Sequence, residues 1–210
     1  MGIPDLRSLA LFMAAALALN LTPGPDMLYV AARSASQGRK AGVAAALGIA
    51  TGLLVHITVV ALGLAAFLAA VPIANNIVRL AGAAYLVYLG VKTLLRPRAL
   101  STGRVEAANS LTAFSQGMLT NVLNPKVALF FLAFLPQFVD PARGSMAGQV
   151  VALGLLFNTS GTLVNLVVAL GVSRAAASIG RHKRATVVIQ RVSGSLLIAL
   201  GLRLAIAPTK

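Results

Sequence analysis

The sequence predicts an all-α integral membrane protein. It has six transmembrane helices arranged as two inverted three-helix repeats, and the first helix of each repeat is broken at proline. Three observations predict this. The 210 residues are 58% hydrophobic and 10% charged, with a mean hydropathy of +0.88, where a soluble domain is about a quarter charged. Six apolar stretches reach the length of about 20 residues that a helix needs to cross a bilayer. Breaks carrying proline and one ionisable residue recur at matching places in the two halves.

Each span is legible in turn. Span one runs from Leu6 to Ala32 and contains Leu21-Thr22-Pro23-Gly24-Pro25-Asp26. A cleaved leader is the competing reading of its start. Asp5 beside Arg7 removes the positive n-region, and the apolar run continues to Ala32, so it reads as a span. Span two, Ala41 to Ala70, is long and expected to tilt. Ala44, Gly48 and Gly52 lie four apart on one of its faces, spacing that lets helices approach closely. That face suits packing within the chain or a homodimer, and His56 extends it by a turn. Span three is Ile73 to Leu95. Span four, Thr112 to Val139, contains the second break, Asn124-Pro125-Lys126. Span five, Met146 to Val172, carries a polar stripe of Gly154, Asn158, Gly161 and Asn165. Span six is Val187 to Ala207. No linker has room for a soluble domain, so residues 1–210 form one transmembrane unit.

Charge placement sets the orientation. Lys and Arg number 18 against 4 acidic residues, a net of +14. They fall between the apolar runs, which is the pattern of membrane topology and not of nucleic-acid binding. Arg33, Arg39, Lys40, Lys92, Arg96, Arg98, Arg104, Arg174, Arg181, Lys183 and Arg184 fall on one side. Arg7, Arg143 and Lys210, with Arg203 near the end of span six, fall on the other. The heavily basic side is expected to be cytoplasmic and both termini periplasmic. The basic loop at 181–184 reads as a surface facing lipid headgroups. Cysteine is absent, so there is no disulfide framework or thiolate metal site.

An internal repeat organises the spans. Val59-Val60-Ala61-Leu62-Gly63 recurs as Val167-Val168-Ala169-Leu170-Gly171, and Ala46-Leu47-Gly48 as Ala152-Leu153-Gly154. Arg79-x-x-Gly82 with Leu89-Gly90 recurs as Arg191-x-x-Gly194 with Leu200-Gly201. Repeat one covers about residues 1–100 and repeat two about 108–210. A unit of three spans must re-cross in the opposite sense. Inverted repeats with interrupted helices at mid-membrane are the mark of secondary transporters.

The repeat aligns Pro25 with Pro125 and Asp26 with Lys126. Proline in a helix interior costs about 3 kcal/mol or more. A charge at the bilayer centre costs at least about 2.5 kcal/mol on insertion scales. Freed backbone groups at that depth are tolerated against protein or a wet cavity. Pro23, Gly24, Pro25, Asn124 and Pro125 therefore mark a polar site facing the bundle. Opened helix ends offer N–H groups to an anion and carbonyls to a cation, the two partners a zwitterion needs. Asp26 would take a proton or a substrate ammonium, and Lys126 would face a carboxylate. Snorkelling is the alternative for each, and a direct Asp26–Lys126 pair is open. Asn158 would line the cavity or act as interhelical glue. Asn20 and Asn121, just before the breaks, are candidates to satisfy freed backbone groups. His56 would relay protons or hydrogen-bond a neighbour. Arg79 would sit near the outer surface, either snorkelling or touching a carboxylate.

The motif Leu21-Thr22-Pro23-Gly24-Pro25-Asp26, followed by Gly38-x-x-x-Gly42 and Gly48-x-x-x-Gly52, resembles the first half of the lysine-exporter/homoserine–threonine-resistance (LysE/RhtB) family. Asn124-Pro125-Lys126-Val127-Ala128-Leu129-Phe130-Phe131-Leu132-Ala133-Phe134-Leu135-Pro136-Gln137-Phe138-Val139 resembles its second-half signature. The resemblance implies a bacterial inner-membrane exporter of amino acids or close derivatives, driven by the proton gradient. Members resembling lysine or arginine exporters carry a shorter Gly-Pro-Gln pattern at the first break. The Pro-Gly-Pro-Asp found here favours neutral, threonine- or homoserine-like substrates. The alternatives are an exporter of another small solute or metal ion, or a membrane assembly protein. No positioned nucleophile and base are evident, so an enzyme is not expected, nor is any cofactor. The partners expected are a small amino acid, the proton and the lipid bilayer.

Overall fold

The structure, a computed structural model, describes residues 5–70, 74–95, 109–175 and 183–206. Among these residues the chain is helical throughout. The Arg79 side chain, the loop residues Arg96, Arg98 and Arg104, and Arg181 and His182 of the basic loop lie outside the described set, as do Lys210 and the side chains of Arg174, Lys183 and Arg184.

Helix α1 spans Leu6–Leu21, and the Asp5 carboxylate caps it by accepting from the Ser8 amide at 3.0 Å. Pro23 and Pro25 then remove two backbone donors and bar the preceding residues from helical geometry. Gly24 is extended, and helix α2, Pro25–Gln37, begins with proline at its first position, where the missing N–H would be unpaired anyway. The two helices bend by 47°. The basic linker expected over Arg33 to Lys40 shrinks to Gly38, because α2 continues to Gln37. Gly38 takes the left-handed conformation at φ 82° that ends one helix and starts the next.

Helix α3 spans Arg39–Ala70, and helix α4 spans Ala74–Leu95. Helix α5, Ser110–Val122, stops at the second break. Helix α6, Pro125–Leu129, follows with Asn124 as its cap, continues into a π turn over Phe130–Phe134, and ends in a 3-10 turn over Leu135–Phe138. The second bend is 43°. Helix α7 spans Met146–Ala175 and helix α8 spans Lys183–Ile206.

Among the described residues, three helices are long and apolar enough to cross a membrane alone, and counting each bent pair as one span gives five. Helix α4 contributes a shorter described apolar stretch, Leu80–Leu95. The outward faces fit lipid: Leu62, Val167 and Val192 are largely exposed. Helix α3 lies between α5 and α7, and α4 lies along α8. Glycine sets these crossings. A Cβ on Gly48 would collide with the Phe114 carbonyl, and one on Gly117 would lie 2.5 Å from the Ala45 carbonyl. The small-residue face of span two thus packs against α5 within this chain.

The largest core is aromatic. Phe130 stacks on Phe157 at 4.7 Å between ring centroids, and Phe134 on Phe138 at 4.9 Å. Phe12 meets Phe138 edge-on at 5.4 Å. The π turn inserts an extra residue into this wall, with the Leu135 amide donating back to the Phe130 carbonyl.

Candidate functional site

The two breaks face one another. A helix ends with carbonyls that lack internal donors, and α1 ends at the level of the second break. The Ala18 carbonyl is satisfied locally by the Thr22 hydroxyl at 2.7 Å. The carbonyls of Leu19, which also takes the Thr22 amide at 3.2 Å, and of Thr22 accept from the Lys126 ammonium, at 3.0 and 2.9 Å. The cation lies at the negative end of the α1 dipole, where it is favoured. Gly24 makes room for it, since a Cβ there would lie 3.0 Å from Nζ. Asn124 fixes the base of the lysine by accepting from the Lys126 amide at 3.0 Å.

Asp26 sits in the first turn of α2, where a carboxylate meets the positive helix end. Its Oδ2 accepts from the Asn121 amide at 2.8 Å. Its Oδ1 is buried without a donor, as is Asn121 Oδ1, and the buried Asn124 Nδ2 lacks an acceptor. Such groups are rare inside proteins and mark places where something else binds or moves. Among the described residues no ion pair joins Asp26 to Lys126. Each charge is held by the other repeat: Asp26 by α5, and Lys126 by the end of α1.

His56 donates from Nε2 to the Asn121 carbonyl at 3.1 Å, because a carbonyl can only accept. Asn158 donates to the Ala50 carbonyl at 3.2 Å and receives the Thr162 hydroxyl at 3.3 Å. Asn20 reaches the Ser160 hydroxyl at 3.0 Å. The two asparagines before the breaks therefore bind neighbouring side chains, and the freed carbonyls of α1 fall to Lys126.

Two cavities meet here. One, of about 430 Å³, is lined by both breaks and by Tyr85, Tyr88, Lys92, Thr93 and Gln190. The other, of about 30 Å³, has a mixed lining in which Asn20, Asp26, Asn121, Asn158 and Asn165 face apolar side chains such as Phe157 and Leu53. Lys126 lines both. Of the residues the sequence singled out, the proline breaks line the larger cavity and Asp26 and Asn158 the smaller, while His56 lines neither and reaches the region through the Asn121 carbonyl. The sequence did not point to Tyr85, Tyr88, Thr93 or Gln190. Lys92 was visible as an orientation charge, and on α4 it donates to Tyr88 at 3.0 Å.

A family model described as LysE type translocator matches residues 17–207. The homoserine/homoserine lactone efflux protein of Salmonella typhimurium is 30% identical over 193 residues, covering 90% of this chain and 91% of that protein. The leucine efflux protein of Salmonella typhi is 34% identical over 134 residues, 61% of this chain and 62% of that protein. An uncharacterized membrane protein of Vibrio cholerae is 29% identical over 208 residues, 97% and 98% of the two chains. No solved structure matches.

Proposed function

The chain belongs to the LysE type translocator family, and from that premise we propose that it is a proton-driven secondary exporter of small neutral amino acids or close derivatives in the bacterial inner membrane. Threonine- or homoserine-like solutes suit it best. One observation carries the reading: Asp26 and Lys126 meet at two proline breaks, each held by the opposite half of the chain. A zwitterion is the solute class that answers both charges. The names of the efflux relatives point the same way, towards homoserine, its lactone and leucine.

Asp26, with Asn121 beside it, is the proton or ammonium acceptor. Lys126, Asn158 and the backbone at Pro23, Gly24, Pro25, Asn124 and Pro125 complete the substrate site. His56 holds α3 to the end of α5. The two halves are related as inverted repeats. A reciprocal pair of contacts supports this: a Cβ on Gly90 would meet the Gly194 carbonyl, and one on Gly201 would meet the Ala83 carbonyl. Gly90 and Gly201 are repeat equivalents, as are Gly82 and Gly194, so the second contact mirrors the first to within a residue. The larger cavity lies beside Lys92, on the side that the positive-inside rule makes cytoplasmic. The structure fits a state open inward, and export proceeds by rocking of the halves about the breaks.

The described residues contain no cluster of three or more His, Cys, Asp or Glu side chains, which makes an organic ammonium a better cargo than a divalent metal. The test is efflux. Bacterial cells expressing the protein are loaded with amino acids from dipeptides, and the medium is assayed. Selective release of a few neutral amino acids, lost in Asp26→Asn at equal membrane abundance, is expected. Well-inserted wild type that releases none would refute the reading.

A further inference from the structure

Lys126 does not spend its charge on Asp26. Its ammonium takes the carbonyls of Leu19 and Thr22, at 3.0 and 2.9 Å, while Asp26 turns to Asn121 and keeps a buried oxygen with no donor. The carbonyl pair exists because α1 stops short of Pro23, and it presents two acceptors and a negative helix end to one small cation. A lysine head is a compact primary ammonium with three donors, the same group that an amino acid carries at its α-carbon. The protein has thus placed part of its own chain where the cationic end of such a solute would fit. Lys126 also lines both cavities.

We propose that the Leu19 and Thr22 carbonyls form a primary-ammonium site, filled here by Lys126 as an internal competitor. A substrate ammonium displaces Lys126 and thereby opens the way between the cavities. The identity of the displacing group rests on the amino-acid reading above; the existence of the site does not. The released lysine is then answered by the substrate carboxylate or by the unpartnered oxygen of Asp26. Gly24 belongs to the device, since any side chain there would press on the ammonium at 3.0 Å.

The test uses the purified full-length protein in detergent, with simple amines as probes and binding read by thermal shift and calorimetry. In wild type the site is filled, and n-propylammonium binds weakly. In Lys126→Ala, which removes both the competitor and its volume, n-propylammonium is expected to bind at least about tenfold tighter, the factor that charge-assisted hydrogen bonds to two carbonyls supply. Tetramethylammonium has no N–H and is expected to gain nothing. Should Lys126→Ala fail to survive purification, Lys126→Met fills the volume without charge, and methylammonium is expected to show the same gain. Equal amine binding in wild type and variant, or an equal gain with tetramethylammonium, overturns the proposal. If wild type exports no amino acid while the variant gains amine binding, the site stands and the amino-acid reading falls. Intact export with no amine gain removes the site alone.

Discussion

Asp26 is held by one hydrogen bond where a buried carboxylate would normally collect several. That leaves its second oxygen open to a further donor. Asp26→Asn preserves shape and removes the charge. It should reduce efflux by at least about tenfold while membrane abundance, read by immunoblot, stays unchanged. His56 is different. Its Nε2–H goes to the Asn121 carbonyl, a bond that ties α3 to α5. His56→Gln keeps a donor within reach of that carbonyl and should leave the efflux rate within about twofold of wild type. His56→Leu removes the tie while the carbonyl keeps the Asn124 amide at 2.9 Å, and should lower thermal stability by about 0.5–1.5 kcal/mol. The candidates Asp26, Lys126 and Asn158 were legible because charge and amide in hydrocarbon demand a reason. The direction of Lys126 was not. A sequence shows that a lysine must find acceptors, but whether these are a carboxylate or two carbonyls depends on where α1 stops in space.

At the scale of the element, the helices were readable to within a few residues, because apolar length and proline are strong signals. The π turn at Phe130–Phe134 was not. An extra residue in a helix leaves the apolar run Phe130-Phe131-Leu132-Ala133-Phe134 looking like any other. Helix crossings offer the clearest test. Gly48→Val would drive a side chain into the Phe114 carbonyl, and overpacking of this kind costs about 1–3 kcal/mol. Gly63 on the same helix faces open space, so Gly63→Ala should stabilise by about 0.5–1 kcal/mol through helix propensity. Thermal melting of the two variants in detergent should move in opposite directions. At the start of α1, hydrogen bonds from the Ser8 amide and hydroxyl hold the exposed Asp5 carboxyl below its usual range. A lowered carboxyl contributes its stabilisation above the unfolded value of about 3.9 and loses it as pH falls through the folded one. Protection of the first-turn amides of α1, taken relative to their intrinsic exchange rate at each pH, should therefore fall below about pH 4 in wild type, and it should be low at every pH in Asp5→Ala.

For the whole molecule, the native chain is free of cysteine, so single cysteines report topology without background. Lys92→Cys lies in the larger cavity and should react with a membrane-impermeant maleimide in inside-out vesicles but not in intact cells. Leu6→Cys, at the exposed start of α1, should do the reverse. The all-helical membrane plan was legible from the apolar runs, most of which reappear as long apolar helices. The way the halves interlock was not, because contacts between helices far apart in sequence leave no periodic trace in either one.

That interlocking has a consequence for how the protein is made. Helix α3 finds its closest partners in α5 and α7, α4 finds its partner in α8, and α1 rests on α7 and α8. Each of these three first-half helices leaves the ribosome before the surface it is shaped to meet. The glycine face of α3 must wait in the membrane until α5 arrives, and that of α4 until the last helix, with their backbones bare to lipid or to the insertion machinery meanwhile. Synthesis of α8 is thus the event that completes the first half, and a chain halted before it would leave α4 without the neighbour that Gly90 was cut to fit.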